Sequence, residues 1–488
     1  MKLKPPGKRA IRGLAVTGVA LFSVAGLALA QTPAHADPSV RYVMAGSDTI
    51  QDVMNAFAGS LGNNDIGSEN ATNPSTNVIG DPVTVAKTGI SNLENGSGTV
   101  VSANSVPSSV CYFTRPDGSG QGNGALRQSM SALTTSGAPS TTTYATPSGE
   151  SITLTGTNSS NATDTVTGDL PSVAPESGCV DIARSSSGPS TSNPDVVAPT
   201  NGLLQYIPFA LDAVTVAIGS SAGTIVHPAS TNLSGTEATP ATNLAPGGVA
   251  PNFSLAQLEA MYDNATPETA ANNGITYAPV VPGGSTPGGD TPIDLYIPQK
   301  GSGTLTFFAG KLNFSATNPP NFDYQTIQSD GGQTVSDWVG QQVEEHDGTD
   351  VTVDPNGLTP FSIAQYIAQS HGIDPRIHQA VLLQIGGTSP TSTVANQTTP
   401  TNVGTLNTGF PLTREVYLVI PYDKAVNTGD GNYDPTMAAL IVGSSSTLCH
   451  DSLLIAQYGF GLLTSSPLGH TCGAVDTTNL RAYDAAEW

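Results

Sequence analysis

Ser302 and Thr304 sit in the run Gly301-Ser302-Gly303-Thr304, after an extended piece from Asp294 to Ile297 that Pro298 ends. Apolar residues follow at Leu305, Phe308, Ala309 and Leu312, the spacing of one helix face. A short strand, a glycine turn and a fresh helix N-terminus make a cradle for negative charge. The first N–H groups of a helix have no partner inside it, and the dipole favours an anion there. Glycine lets the backbone approach closely, and the two hydroxyls add donors. The plain alternative is an N-cap, in which Ser302 only closes its own helix.

Three other turns share this make-up. Gly46-Ser47-Asp48-Thr49 precedes Ile50, Val53, Met54 and Phe57, the strongest helical periodicity in the chain. Ser47 and Thr49 would face a ligand over that helix start; with equal weight, Asp48 and Gln51 form a variant capping box. Arg115 to Gly124, containing Ser119 and Gly120, leads into Leu126, Met130 and Leu133. Cys179 to Pro189 holds the fourth turn, with Arg184, Ser185 and Ser186. Gly120-x-Gly122-x-x-Ala125 has the letters of a dinucleotide fingerprint, but no clear strand leads in and no suitable acid follows.

The elements that must carry these turns are strands and short helices. Ser39–Ala45 reads as a first strand and Pro82–Ala86 as a short one. Tyr206–Ile218 and Phe410–Pro421 are long β-type stretches, suited to crossing between two lobes. Helices are predicted at Phe253–Tyr262, with Leu255, Leu258, Met261 and Tyr262 inward, and at Pro360–Gln369, Met437–Val442 and Leu453–Leu463. Residues 134–175 are Thr/Ser-rich without Lys or Arg, and read as an inserted hairpin or mobile loop. Val343–Val351 reads as a polar, solvated turn after a helix that carries Trp338, and His346 belongs to it.

Residues 1–36 read as a signal peptide: five basic residues, an apolar run from Gly13 to Ala30, and Ala34-His35-Ala36 as cleavage site, with Ala30 competing. Without it the charge is 11 − 38 = −27, which speaks against nucleic acid as a partner. No later run of eighteen apolar residues exists to span a membrane. The four cysteines of an exported chain read as two disulfides. Three pairings are open; Cys111–Cys179 and Cys449–Cys472 are favoured as the nearer partners in sequence. No G-x-S-x-G or H-E-x-x-H is present, and His371 and His378 read as surface or capping residues. No enzyme, cofactor or metal is expected.

Four glycine/serine turns, two crossing stretches and an export signal point to a two-lobed solute-binding protein. The chain also resembles the phosphate-type substrate-binding proteins of ABC transporters, in their actinobacterial secreted form. The motifs AGSDTIQDVM, RPDGSGQG, VDIARSSSGP, PFALDAVTVAI, FSLAQLEAMY, GSGTLTFF and FPLTREVYLVIP carry the resemblance, in the family's order, from about residue 40 to 420. It implies an α/β, periplasmic-binding-protein-like (type 2) fold with two hinge strands and Thr/Ser-rich insertions. Lobe I would take residues 37–210 and 415–488, and lobe II residues 211–414. The implied anion shell is Thr49 and Ile50, Ser119 and Gly120, the run Ala183 to Ser186, and Ser302, Gly303 and Thr304.

Two departures stand out. The third turn has Ser where the family has Asp, with Asp181 close but out of register, and Pro298 and Lys300 replace an Arg and an Asp. A carboxylate accepts a hydrogen bond from hydrogen phosphate and repels sulfate, so its loss relaxes the choice of anion. Arg184 would supply the lost fork and Lys300 a point charge. The expected function is extracellular capture of a phosphate-like oxyanion for ABC-type uptake, by a monomer that partners a permease. The alternative is a secreted or wall-associated interaction protein that retains the fold without transport.

Overall fold

The computed structural model describes residues 40–62, 65–71, 82–87, 93–94, 100–101, 110–130, 153–157, 163–167, 178–189, 204–219, 252–263, 294–298, 301–314, 328–329, 333–334, 344–353, 357–392, 404–431, 433–464 and 469–482. The segment Met1–Ala36 falls outside them, and with it the predicted signal; Asp37–Trp488 forms a compact unit of its own.

That unit is built on a mixed sheet. Its main path runs Asp294–Leu295, Gly357–Ser362, Leu204–Gly219, Thr413–Pro421, Ile182–Ser185, Tyr42–Gly46 and Ile66–Ser68. Leu204–Gly219 is the spine. Its first ten residues pair antiparallel with Thr413–Pro421, and its last six with Gly357–Ser362 and Ala380–Leu382. The register slips between Pro208 and Ala210. Phe209 occupies the slip, a β-bulge that bends a long strand.

Alternation explains the layers. Tyr42 and Met44, Ile182, and Val416, Leu418 and Ile420 pack into one apolar cluster. Their neighbours Val43, Ala45, Ala183, Tyr417 and Val419 pack into another, on the opposite face. Successive strand residues point to opposite faces, so a sheet covered on both sides reads as an unbroken apolar run. A separate cluster gathers the second half of the spine, from Leu211 to Ile218, with Leu258, Tyr262, Leu305, Phe308 and Phe361. The first half of the spine lies in the two-sided sheet and its second half in this separate cluster. The disulfides join Cys111 to Cys179 and Cys449 to Cys472, the pairing favoured from sequence.

Several local expectations need correction. Pro360–Ser362 continues a strand, and the helix starts only at Ile363, where Ser362 Oγ accepts from Gln365 N. Leu453–Leu463 is not one helix: Ser452–Gln457 is helical, and Gly461–Leu462 pairs with the spine. Leu255 is exposed rather than inward, whereas Leu258 and Tyr262 are buried. A hairpin pairs Thr153–Thr157 with Thr163–Thr167 inside the Thr/Ser-rich insertion. Leu133, Met261 as a side chain and the Trp338 helix lie outside the described residues.

Candidate functional site

The four turns meet in one place. Thr49 lies in a one-turn 3-10 segment, Asp48–Ile50, ahead of the helix Gln51–Ser60. Ser119 opens the helix Ser119–Ser129, and Ser302 caps the helix Gly303–Lys311. Thr49 Oγ1 is 3.3 Å from Thr304 Oγ1, and Ser119 Oγ is 3.2 Å from Ser186 Oγ. Ser119 Oγ also accepts from Ser186 N at 2.9 Å, and Gly120 N donates to Gly301 O at 3.1 Å. A Cβ at Gly303 would overlap Ser119 Oγ and Ser186 Oγ, so only glycine there lets the turns close on one another.

These hydroxyls hold an anion-type group, and it is the chain's own. Thr49 Oγ1 and Thr304 Oγ1 donate to Glu345 Oε1 at 2.5 and 2.6 Å. Ser302 Oγ donates to Glu345 Oε2 at 3.2 Å while accepting from Thr304 N and Leu305 N. Ser302 therefore does both things its sequence allowed: it caps its helix and it aims a proton into the cleft. Glu345 is fully buried. Burial pushes its carboxyl up to about 7, helped by the charge of Asp48 and opposed by the Thr304 and Thr49 hydrogen bonds and by Arg414.

The loop that delivers Glu345 is fixed from several sides. Ser362 N donates to Glu345 O at 2.8 Å, and Gln369 Nε2 donates to His346 O at 2.6 Å. Gly348 packs so tightly that a Cβ would overlap the carbonyl of Ile377. His346 is buried, not solvated, which corrects the expectation for this turn. Burial and the nearby charge of Arg376 drop its imidazole to about 4, leaving it neutral at pH 7. Burial, Asp117 and Asp48 hold the Glu344 carboxyl well above the usual range. Asp48 makes no capping box with Gln51; its Oδ1 accepts from Thr49 N, and its Oδ2 faces His346 Nδ1 at 3.6 Å.

Thr49, Ser119, Ser186, Ser302, Gly303 and Thr304 thus come together, and Gly120 joins through its backbone. Other predicted residues sit elsewhere. Ile50 puts its side chain into the core beside Val53 and Met54. Ser185 Oγ turns back onto Ser187 O. Arg184 is not a free fork: its guanidinium donates to Ser47 O, Ser68 Oγ, Gly46 O and Glu69 O, and burial lowers it to about 10. Asp181 is buried between Lys87 and Lys424, at 2.5 and 2.6 Å, away from the hydroxyls. Lys300 lies outside the described residues.

Two residues escaped the sequence reading. Glu345 had one signal available, four consecutive ionisable residues, Glu344 to Asp347, in a chain that is 11% charged. Arg414 pairs with Asp212 through the strands shared by the lobes, at 3.1 and 2.8 Å. Its Nη1 is buried without a hydrogen-bond partner among the described residues, and its charge favours ionised Glu345.

No family model and no curated protein matches the chain. Among solved structures it is similar to one named as a phosphate ABC transporter substrate-binding protein with bound phosphate, from Clostridium perfringens. The identity is 11% and the TM-score 0.38, over 86% of this chain and 98% of that one. PstS from Borrelia burgdorferi is similar at 10% identity and a TM-score of 0.31, over 87% and 98% of the two chains. Overlaps this slight assign no ligand; the chain's own residues must do so.

Proposed function

We propose that the protein is an extracellular solute-binding protein that takes a phosphate-like oxyanion into the cleft between its lobes, for ABC-type uptake. Ligand entry displaces Glu345 from the hydroxyls. One observation carries the reading: Thr49, Ser302 and Thr304, from both lobes, already grip a carboxylate. Hydroxyl donors that converge on one charged carboxylate can equally donate to the oxygens of a tetrahedral oxyanion. Thr49, Ser119, Ser186, Ser302 and Thr304 form the proposed shell, with backbone of Ile50, Gly120 and Gly303, and Arg414 supplies positive charge. The proposed division of the chain remains 37–210 with 415–488, against 211–414.

Calorimetry on the full mature chain, with phosphate, sulfate and acetate in turn, tests this. Phosphate should release heat, and Glu345→Ala should bind it about tenfold more tightly, because the internal competitor is gone; that is ~1.4 kcal/mol. A second reading, an interaction protein that keeps the fold without a ligand, rests on the same closure, since Glu345 satisfies the hydroxyls with no solute. Absence of heat for every anion in both proteins would overturn the first reading in favour of the second.

A further inference from the structure

Behind the hydroxyls lies a group of side chains of which the proposed anion capture involves only Glu345. Asp48, Glu344, Glu345 and His346 each offer one ligand atom, and these atoms lie within 4.8 Å of one another. We propose that Asp48, Glu344, Glu345 and His346 form a binding site for a divalent transition cation, Zn²⁺ or Mn²⁺. Glu345 is the one member that a bound oxyanion would displace; Asp48, Glu344 and His346 remain in either case.

Spacing is the first argument. Carboxylate and imidazole atoms sit about 2.0–2.2 Å from such a cation, so donors on opposite sides of it are separated by roughly twice that. The observed limit of 4.8 Å is slightly wider than that span, so the donors would draw in by a few tenths of an ångström around a single ion. The second argument is a missing partner. His346 Nδ1 is a buried atom with no hydrogen-bond partner among the described residues, whereas Asp48 and Glu344 share a side-chain hydrogen bond. His346 is 1% exposed, and its Nδ1 stands 3.6 Å from Asp48 Oδ2, too far for a hydrogen bond. Buried polar atoms are normally satisfied, and an unpaired imidazole nitrogen facing buried carboxyl groups calls for a partner of another kind.

Charge is the third. Burying three carboxyl groups in one space costs hydration and, wherever they ionise, mutual repulsion, unless they are paired or coordinate a metal. The Arg376 guanidinium, whose charge acts on Asp48 and His346, lies 2.9 Å from Asp374 and 4.0 Å from Asp52. The cluster is also held in place. Asp48 Oδ1 is fixed by Thr49 N, and the loop carrying the other three is pinned by Ser362 N and Gln369 Nε2. The donor set decides the class of ion. Oxygen ligands alone suit Mg²⁺, Ca²⁺ and Mn²⁺, whereas an imidazole among them shifts preference to Zn²⁺ and its neighbours.

The test uses the full mature chain, stripped with chelator and freed of it by gel filtration. ZnCl₂ and MnCl₂ are titrated in separate calorimetry runs, with CaCl₂ as comparison, and bound metal is counted by mass spectrometry. One equivalent of Zn²⁺ or Mn²⁺ should bind and raise the melting temperature. Glu344→Gln and Asp48→Asn, both near-isosteric, should each weaken binding at least tenfold, with circular dichroism confirming that they fold. His346→Ala should do the same and move preference toward CaCl₂. No binding by folded wild type, tighter binding of Ca²⁺ than of either transition ion, or unchanged affinity in Glu344→Gln and Asp48→Asn would each overturn the site.

Discussion

Arg184 shows how a side chain with the right chemistry can be spent on structure. Its guanidinium holds the carbonyls of Gly46, Ser47 and Glu69, the backbone from which Thr49 reaches the cleft. Arg184→Ala would strip donors from several buried carbonyls, each costing about 1–3 kcal/mol when left unsatisfied. We expect a stability loss of at least about 3 kcal/mol in urea unfolding. Unchanged stability together with lost anion binding would instead place the guanidinium against the ligand. Glu345 is the converse case. It carries the wrong charge for the proposed anion site, yet it sits among the donors Thr49, Ser302 and Thr304.

At the scale of elements, the shared strands hold a buried ion pair where they cross between lobes. Arg414 donates twice to Asp212, which also accepts from Ser362 Oγ and Ala364 N. The crossing is therefore tied to the start of the helix Ile363–Ser370. Asp212→Asn leaves a buried guanidinium without its counter-charge, a change that costs about 3–5 kcal/mol. Chemical denaturation should show that loss, and a change below about 1 kcal/mol would mean that the pair adds nothing there. A second tie is sensitive to pH. His470 Nδ1 lies 2.8 Å from Glu415 Oε2, and Nε2 lies 3.4 Å from Asp476 Oδ2. Burial works against protonation of His470, but hydrogen bonds and charge from Glu415 and Asp476 outweigh it and raise the imidazole above 6.5. A raised folded-state value means that the stabilisation is complete below 6.5 and fades as pH climbs through the folded value. Melting temperature should fall between pH 6 and pH 9 more in wild type than in His470→Gln; parallel curves would refute the coupling.

At the scale of the whole molecule, the two disulfides close loops of 68 and 23 residues. The chain-entropy account assigns them about 4 and about 3 kcal/mol respectively. Mass mapping without reduction should recover both links, and Cys111→Ser with Cys179→Ser should lower the melting temperature more than the Cys449/Cys472 double change. The reverse order would point to native-state effects larger than loop entropy. Among the described residues, no helix is long and apolar enough to cross a membrane. With residues 1–36 removed the charge would be 11 − 38 = −27 and would repel anions at long range, so the proposed capture would rest on short-range donors and on the Arg414 charge.

Local order was legible in the residues. Helix spacing after Thr49 and Thr304, the β-type run of Leu204–Gly219 and the nearer cysteine partners all depend on neighbours a few residues away or on simple proximity. The convergence of Thr49, Ser119, Ser186 and Ser302 was foreseen only through a family likeness, since no local pattern says that four turns share one cleft. Where a polar side chain points was not legible at all. Arg184 and Ser185 belong to one turn with Ser186, yet the strand Ile182–Ser185 sends Arg184 beneath Gly46 and Ser47 and leaves Ser186 to meet Ser119. Glu345 looked like part of a solvated turn because four ionisable residues in a row usually face water. It is buried because Ser362, Gln369 and the close approach of Gly348 to Ile377, all distant in sequence or set by packing, fold its loop into the cleft. Pairings of that kind exist only once the sheet has brought the lobes together.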